Sequence, residues 1–173
     1  MSWVALDVDY RDAGGVEHAM AAAVVFDAWS APAPTHERVV RVDAVNPYVS
    51  GRFFERELPC LLAAIEAVES MGIVVDGVVV DGYVWLGEAR PGLGAHLWEA
   101  LGQRVPIVGV AKTRFDGAEG VQHEVTRGQS KRPLYVTAAG IAAKTAADRV
   151  ASMAGAHRVP TLLGRVDRLC REG

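Results

Sequence analysis

The chain has 173 residues, half of them hydrophobic and 23% charged, with a formal net charge of −3. That length suits one domain with a real core, and that composition excludes a disordered chain. No apolar run approaches the roughly 20 residues of a membrane span, and Cys60 and Cys170 make neither a disulfide framework nor a CxxC metal site.

The charge is unevenly spread. Residues 1–110 carry 7 Lys/Arg against 15 Asp/Glu, a balance of −8, and residues 111–173 carry 11 against 6, a balance of +5. A basic carboxyl-terminal part beside an acidic amino-terminal part fits a phosphate-binding surface next to a carboxylate cluster, although solvated faces can carry such an asymmetry without purpose. The first residues, MSWVALDVDY, hold no basic residue ahead of the apolar ones. No secretory signal is expected there, and the cytoplasm is the expected compartment.

In chain order, Trp3–Tyr10 alternates apolar and polar residues as a half-buried strand does, with Asp7 and Asp9 sharing the parity of Trp3 and Ala5. A turn at Asp12–Gly15 leads to a second strand within His18–Trp29, and Ala31–Pro34 is a loop before a third strand, Glu37–Val45. Three strands with short connections predict an antiparallel meander. Residues 47–59, PYVSGRFFERELP, then make a turn, two aromatics and a carboxylate, Glu57. Leu58, Leu61, Leu62, Ile65 and Val68 recur at helical spacing, and Pro59, lacking an amide donor, suits a first turn, so the helix is expected to start beside Glu57. Cys60 lies on its apolar side and reads as a buried small hydrophobe.

The valine run ending in Asp81–Gly82 is a buried strand that brings a carboxylate to its tip. A helix near 94–102 and a strand at 105–111 follow, and this alternation implies parallel strands with crossover helices. Residues 112–132 are polar and basic without periodicity, so they read as a surface loop. Leu134–Thr137 is a short strand, and Ile141–Met153 and Thr161–Arg171 are helices. The expected fold is a single α/β domain over 1–173, ribonuclease H-like. Its mixed central sheet has three antiparallel strands, then parallel strands, and is flanked by helices.

Four acids stand where they could converge: Asp7 in the first strand, Glu57 at a helix start, Asp81 at a strand end and Asp167 in the last helix. Taken singly, each also reads as an ordinary turn or cap residue. Together they suit hard divalent cations, which want carboxylate and water oxygens, and packed acids need a cation or a shared proton.

The motifs in order resemble the Endonuclease V family, nucleases that cut near deoxyinosine in DNA or inosine in RNA. LDVDY is similar to the family's first-strand motif and implies Asp7 as a metal ligand. PYVSGRFFERE resembles PYIPG…FRE, placing Tyr48 at a strand-separating wedge and Glu57 at the second acid. VVVDG…LGAHL resembles the DG…GLASHLG stretch, placing Asp81 at the third acid and His96 at a histidine that reads as structural. VGVAK resembles IGVAK and puts Lys112 at a catalytic lysine, where a surface lysine opening a loop is the rival reading. VPTLLGRVDRL resembles PEPTRLADRL and puts Asp167 at the fourth acidic position.

The resemblance therefore implies a catalytic set of Asp7, Glu57, Asp81, Lys112 and Asp167, with Mg²⁺ (or Mn²⁺ in its place) on Asp7, Glu57 and Asp81. Tyr48, Gly51, Gly82 and Arg90 would face the nucleic acid or the base, unless Tyr48 is a core tyrosine. The expected partner is DNA or RNA containing a deaminated base, with no membrane, and a monomer is the expected state. Three departures concern the surface that meets the substrate. Gly87-Glu88-Ala89 replaces the family's HPR segment, Ser50 replaces a proline, and Ile141 stands where the family has a histidine. They leave open a relative that cuts another nucleic-acid structure, or a module that binds without cutting.

Overall fold

The computed structural model describes residues 1–173. Strand β1 (Ser2–Ala13) pairs antiparallel with β2 (Val16–Phe26), Ala13 opposite Val16, across the two-residue turn Gly14–Gly15. Both glycines have positive φ, 67° and 85°, which is what a two-residue hairpin with a twist matched to its strands demands. Strand β3 (His36–Val42) completes the antiparallel meander on β2.

Helix α1 (Phe53–Glu69) returns the chain to β4 (Val75–Asp81), which lies parallel to β1. A short ribbon, β5 (Trp85–Gly87) and β6 (Arg90–Pro91), precedes α2 (Leu93–Ala100) and β7 (Ile107–Ala111), parallel to β4. Strands β8 (His123–Val125) and β9 (Leu134–Ala139) follow, then helices α3 (Ala143–Ser152) and α4 (Thr161–Glu172). The main sheet runs β3-β2-β1-β4-β7-β9-β8.

Helices cover both faces, so the central strands are buried on both sides and read as continuous apolar runs. Val4 and Leu6 pack with Leu61, Ile65 and Val68 of α1 and Leu97 of α2. Trp3 and Ala5 pack on the opposite side with Val150 of α3 and with Leu162, Val166 and Cys170 of α4. The parity of Asp7 therefore turns it toward α4. Cys60 is buried in the α1-side core, as expected of a small hydrophobe.

The meander and the parallel β1-β4-β7 centre agree with the sequence pattern. Three features differ. Pro59 is not in a first turn: α1 begins at Phe53, so Glu57 is its fifth residue and Pro59 lies inside the helix. The ribbon β5–β6 was not signalled, being built on two short segments. The stretch 112–132 is not simply a surface loop. It contains β8, which forms a hairpin with β9, so β9 runs antiparallel to β7. A parallel neighbour would have required a crossover, usually a helix, and 112–132 has no apolar stripe from which to build one. Arg127 in the same stretch is buried, and its guanidinium donates to the carbonyls of Met153, Gly155, His157 and Arg158. No helix is long and apolar enough to cross a membrane.

Candidate active site

Strands β4 and β7 end along one edge of the sheet, where α/β folds place their chemistry. The parallel pairing of β1 with β4 stops there, while β1 runs on beside β2. Leu6 of β1 pairs with Val80 of β4, so the next step along each strand brings Asp7 beside Asp81. Asp81 in turn pairs with Val110 of β7, two residues before Lys112. The Lys112 ammonium donates to Asp81 Oδ2 at 3.1 Å. Glu57 reaches this edge from α1 on one side of the sheet, and Asp167 reaches it from α4 on the other.

The electrostatics register this convergence. Burial pushes the Asp7 carboxyl up to about 7, with Asp81 and Asp167 adding to the rise, while the Val8 amide at 2.9 Å works against it. Burial also pushes Glu57 up to about 8, and the charges of Asp7 and Asp81 add to it. Glu57 is only 7% exposed. Burial opposes the Lys112 charge, but Asp81, Asp7 and Asp167 together raise its pKa above the ordinary lysine value. Three acids thus bear on the Lys112 charge, while Glu57 feels Asp7 and Asp81 against the Arg56 guanidinium. Without a further cation, burial and mutual repulsion keep Asp7 and Glu57 largely protonated near neutral pH.

Ligand atoms of Asp7, Asp167 and Cys170 lie within 4.8 Å of one another, with Glu57 and Asp81 outside that group. The Cys170 thiol is buried, donates to the Asp167 carbonyl at 3.1 Å and is pushed up to about 12 by burial and by Asp7, Asp167 and Asp9. It is protonated at neutral pH and poorly suited to a hard cation. Asp167 also accepts from Arg171, one turn along α4, at 3.0 Å.

On the α1 side, a cavity of about 340 Å³ opens between Gly51, Phe54, Glu57, Asp81, Gly82 and His96. Gly82 has φ 120°, and its carbonyl sits 2.5 Å from where a Cβ on Gly109 would stand, so the two glycines let β7 and the turn after Asp81 close on each other. His96 stacks on Phe54 with ring centroids 3.7 Å apart and planes 10° apart, forming part of the cavity wall. Its packing is structural, as read, but the ring also faces usable space. Arg90 is exposed on β6 and lies over the Phe115 ring at 5.3 Å, beyond the cavity rather than inside it. The replaced segment Gly87–Ala89 forms the tight end of the β5–β6 ribbon, with Glu88 and Ala89 exposed.

Tyr48 is 64% exposed and meets Phe53 edge to face at 6.2 Å. It is not a core tyrosine. Ile141, in the position of the family histidine, packs partly buried against the α4-side core.

A family model for Endonuclease V matches residues 2–167. The chain belongs to the Endonuclease V family. The Endonuclease V of Streptomyces coelicolor is 33% identical over 96% of this chain and 76% of that relative. That of Streptomyces avermitilis is 30% identical over 96% and 77%. This chain therefore spans about three quarters of those Streptomyces nucleases. The crystal structure of the S. avermitilis Endonuclease V is 26% identical and superposes with a TM-score of 0.77, covering 99% of this chain and 80% of that one. The Ciona intestinalis Endonuclease V, solved in complex with a DNA containing an inosine followed by a ribo-adenosine, has a TM-score of 0.79 at 17% identity, covering 99% and 84%. At that identity the likeness establishes the shared α/β fold.

The sequence reading missed Tyr83, Arg158 and Cys170 near this edge. Tyr83 directly follows the Asp81-Gly82 pair, which was a usable signal. Cys170 becomes relevant only when α4 is docked on β1.

Proposed function

We propose that this protein is a divalent-cation-dependent endonuclease, acting as a cytoplasmic monomer. It hydrolyses a phosphodiester bond on the 3′ side of a deaminated base, deoxyinosine in DNA or inosine in RNA. The observation that carries the reading is the convergence of Asp7, Glu57 and Asp81 on one sheet edge with Lys112 on Asp81, in a chain of the Endonuclease V family.

The donors fit the cation. Asp7, Glu57 and Asp81 offer only carboxylate oxygens, which select Mg²⁺ or Mn²⁺ over softer metals, and Asp167 completes the acidic surround. Bound there, the ion would polarise a phosphoryl oxygen and make a water a better nucleophile at neutral pH.

The chain's own residues account for the rest. Water attacks phosphorus, the bond to the 3′ oxygen breaks, and that oxygen takes a proton, leaving 3′-hydroxyl and 5′-phosphate ends. Lys112 holds a compact positive charge beside Asp81, where a phosphate's developing charge can be met. Tyr48, exposed on the loop before α1, presents an apolar ring able to fill a gap in a base stack. The cavity beside Glu57 and Asp81, floored by glycines and walled by Phe54 and His96, has room for an extruded base. Extrusion costs a few kcal/mol, least at mispaired or single-stranded positions.

A second reading keeps this chemistry but changes the structure cut. It is favoured by the β5–β6 ribbon, whose end carries Gly87-Glu88-Ala89 in place of the family's basic segment. One experiment separates the two. Matched DNA and RNA oligonucleotides, with and without a single inosine, are incubated in Mg²⁺, in Mn²⁺ and in chelator, with Asp7→Ala alongside. Inosine-dependent cutting that chelator and the substitution both abolish is the expected result. Metal-dependent cutting indifferent to inosine selects the second reading. Salt-sensitive binding without turnover would leave a binding module instead.

A further inference from the structure

At Lys112 the chain leaves the sheet, and residues 112–115 have no neighbouring strand to pair with. Their backbone groups are nonetheless taken by two side chains. The Lys112 carbonyl accepts from the Arg158 guanidinium. The Tyr83 hydroxyl donates its one proton to the Thr113 carbonyl at 2.9 Å, with Gln122 Oε1 at 3.2 Å the competing acceptor, and accepts from the Phe115 amide at 2.9 Å.

Both side chains are anchored to other parts of the site. Tyr83 stands two residues after Asp81, so it ties the segment carrying the acid to the segment carrying the lysine. Arg158 also donates to the carbonyls of Arg132 at 3.1 Å and Pro133 at 2.8 Å, joining the start of β9 to the approach to α4. That approach is held from beneath by the buried Arg127, whose partners are all carbonyls of residues 153–158.

We propose that Tyr83 and Arg158 are positioning residues that clamp segment 112–115 and so hold the Lys112 ammonium at Asp81 for phosphodiester cleavage. This rests on the nuclease reading. A lysine needs such support: its charge is a point on a flexible four-carbon stem, and only the place where its backbone is fixed limits where that point can go. Two of the three Arg158 nitrogens already donate to carbonyls, so its task is to hold the backbone rather than to grip phosphate in a fork.

The test is a double-mutant cycle with Tyr83→Phe and Arg158→Ala, each alone and each combined with Lys112→Ala. Each single change is expected to lower kcat by about tenfold to a hundredfold with KM little altered, since displacing a group by about 1 Å costs on that order. Added to Lys112→Ala, each should lower kcat no further, because it acts through the lysine. Losses that multiply in the double variants would overturn the proposal, as would a raised KM at unchanged kcat.

Hydrogen exchange in the nucleic-acid-free protein decides the clamp independently of catalysis. In Tyr83→Phe the Phe115 amide should exchange about tenfold faster, as expected for one lost hydrogen bond. Unchanged exchange there would overturn the clamp. Accelerated exchange in a protein that cuts no oligonucleotide would uphold the clamp and sink the nuclease reading alone.

Discussion

The side-chain amide of Asn46 donates to the backbone carbonyl of Glu55 at 2.8 Å, and Pro59 explains why it must. In a regular helix the Glu55 carbonyl would accept the amide of residue 59, and proline has none. Asn46 fills that vacancy from the loop carrying Tyr48 and thereby ties that loop to the turn of α1 that bears Glu57. Asn46→Ala should therefore destabilise by about 1 kcal/mol, a fall in Tm of about 2–4 °C for a chain of this size. Combined with Pro59→Ala the cost should largely vanish, because residue 59 then supplies the missing donor. Thermal denaturation of the two single variants and the double variant checks this, and additive losses would contradict it.

The acids that make the site should weaken the cation-free protein. Asp7→Asn and Glu57→Gln are each expected to raise Tm in chelator at pH 8, since each removes a buried charge whose ionisation burial disfavours. The same changes should abolish cutting and remove the stabilisation that Mg²⁺ gives the wild type. Calorimetry with and without Mg²⁺ reads both effects.

The same two groups fix the sign of the pH dependence. Their folded values, about 7 for Asp7 and about 8 for Glu57, lie above the unfolded references of 3.8 and 4.5. The folded state thus binds more protons than the unfolded state between those limits, and stability must fall as pH rises from about 4 to about 8. Bound Mg²⁺ needs the carboxylates ionised, so its protection should grow over the upper part of that window. Denaturation scans from pH 4 to pH 9, in chelator and in Mg²⁺, should diverge progressively above neutrality. Parallel curves would count against cation binding by these acids.

Tyr48, exposed and without a hydrogen bond to keep, should be silent for stability and audible in catalysis. Tyr48→Ala is expected to change Tm by no more than other surface substitutions, within about 0.5 kcal/mol. It should slow cutting of an inosine within a duplex by about tenfold or more, since one stacked base is worth about 1–3 kcal/mol. Single-stranded substrate, which has no gap to fill, should be spared. Equal losses on both substrates would remove the wedge role.

Much of this was legible in the sequence because strands buried on both faces announce themselves. The valines before Asp81 and the alternation around Asp7 located two acids at strand positions without any knowledge of the fold. Glu57 was placed one turn too early in its helix because Pro59 usually marks a first turn, and here Asn46 supports it inside instead. Residues 112–132 were opaque for a different reason. Their order comes from Arg127, Arg158 and Tyr83 reaching backbone groups far away in the chain, and such bonds leave no periodicity. The nearness of Cys170 to Asp7, and the stacking of His96 on Phe54, likewise follow only from how α4 and α1 dock on the sheet.

The central claim is that Asp7, Glu57 and Asp81 together hold a divalent cation. Anomalous scattering from crystals soaked in Mn²⁺ tests it most directly, in the wild type and in Asp81→Asn. The account predicts a peak among these three carboxylates that the substitution weakens or removes. A peak confined to Asp7, Asp167 and Cys170 and untouched by Asp81→Asn, or no peak at all, would contradict it.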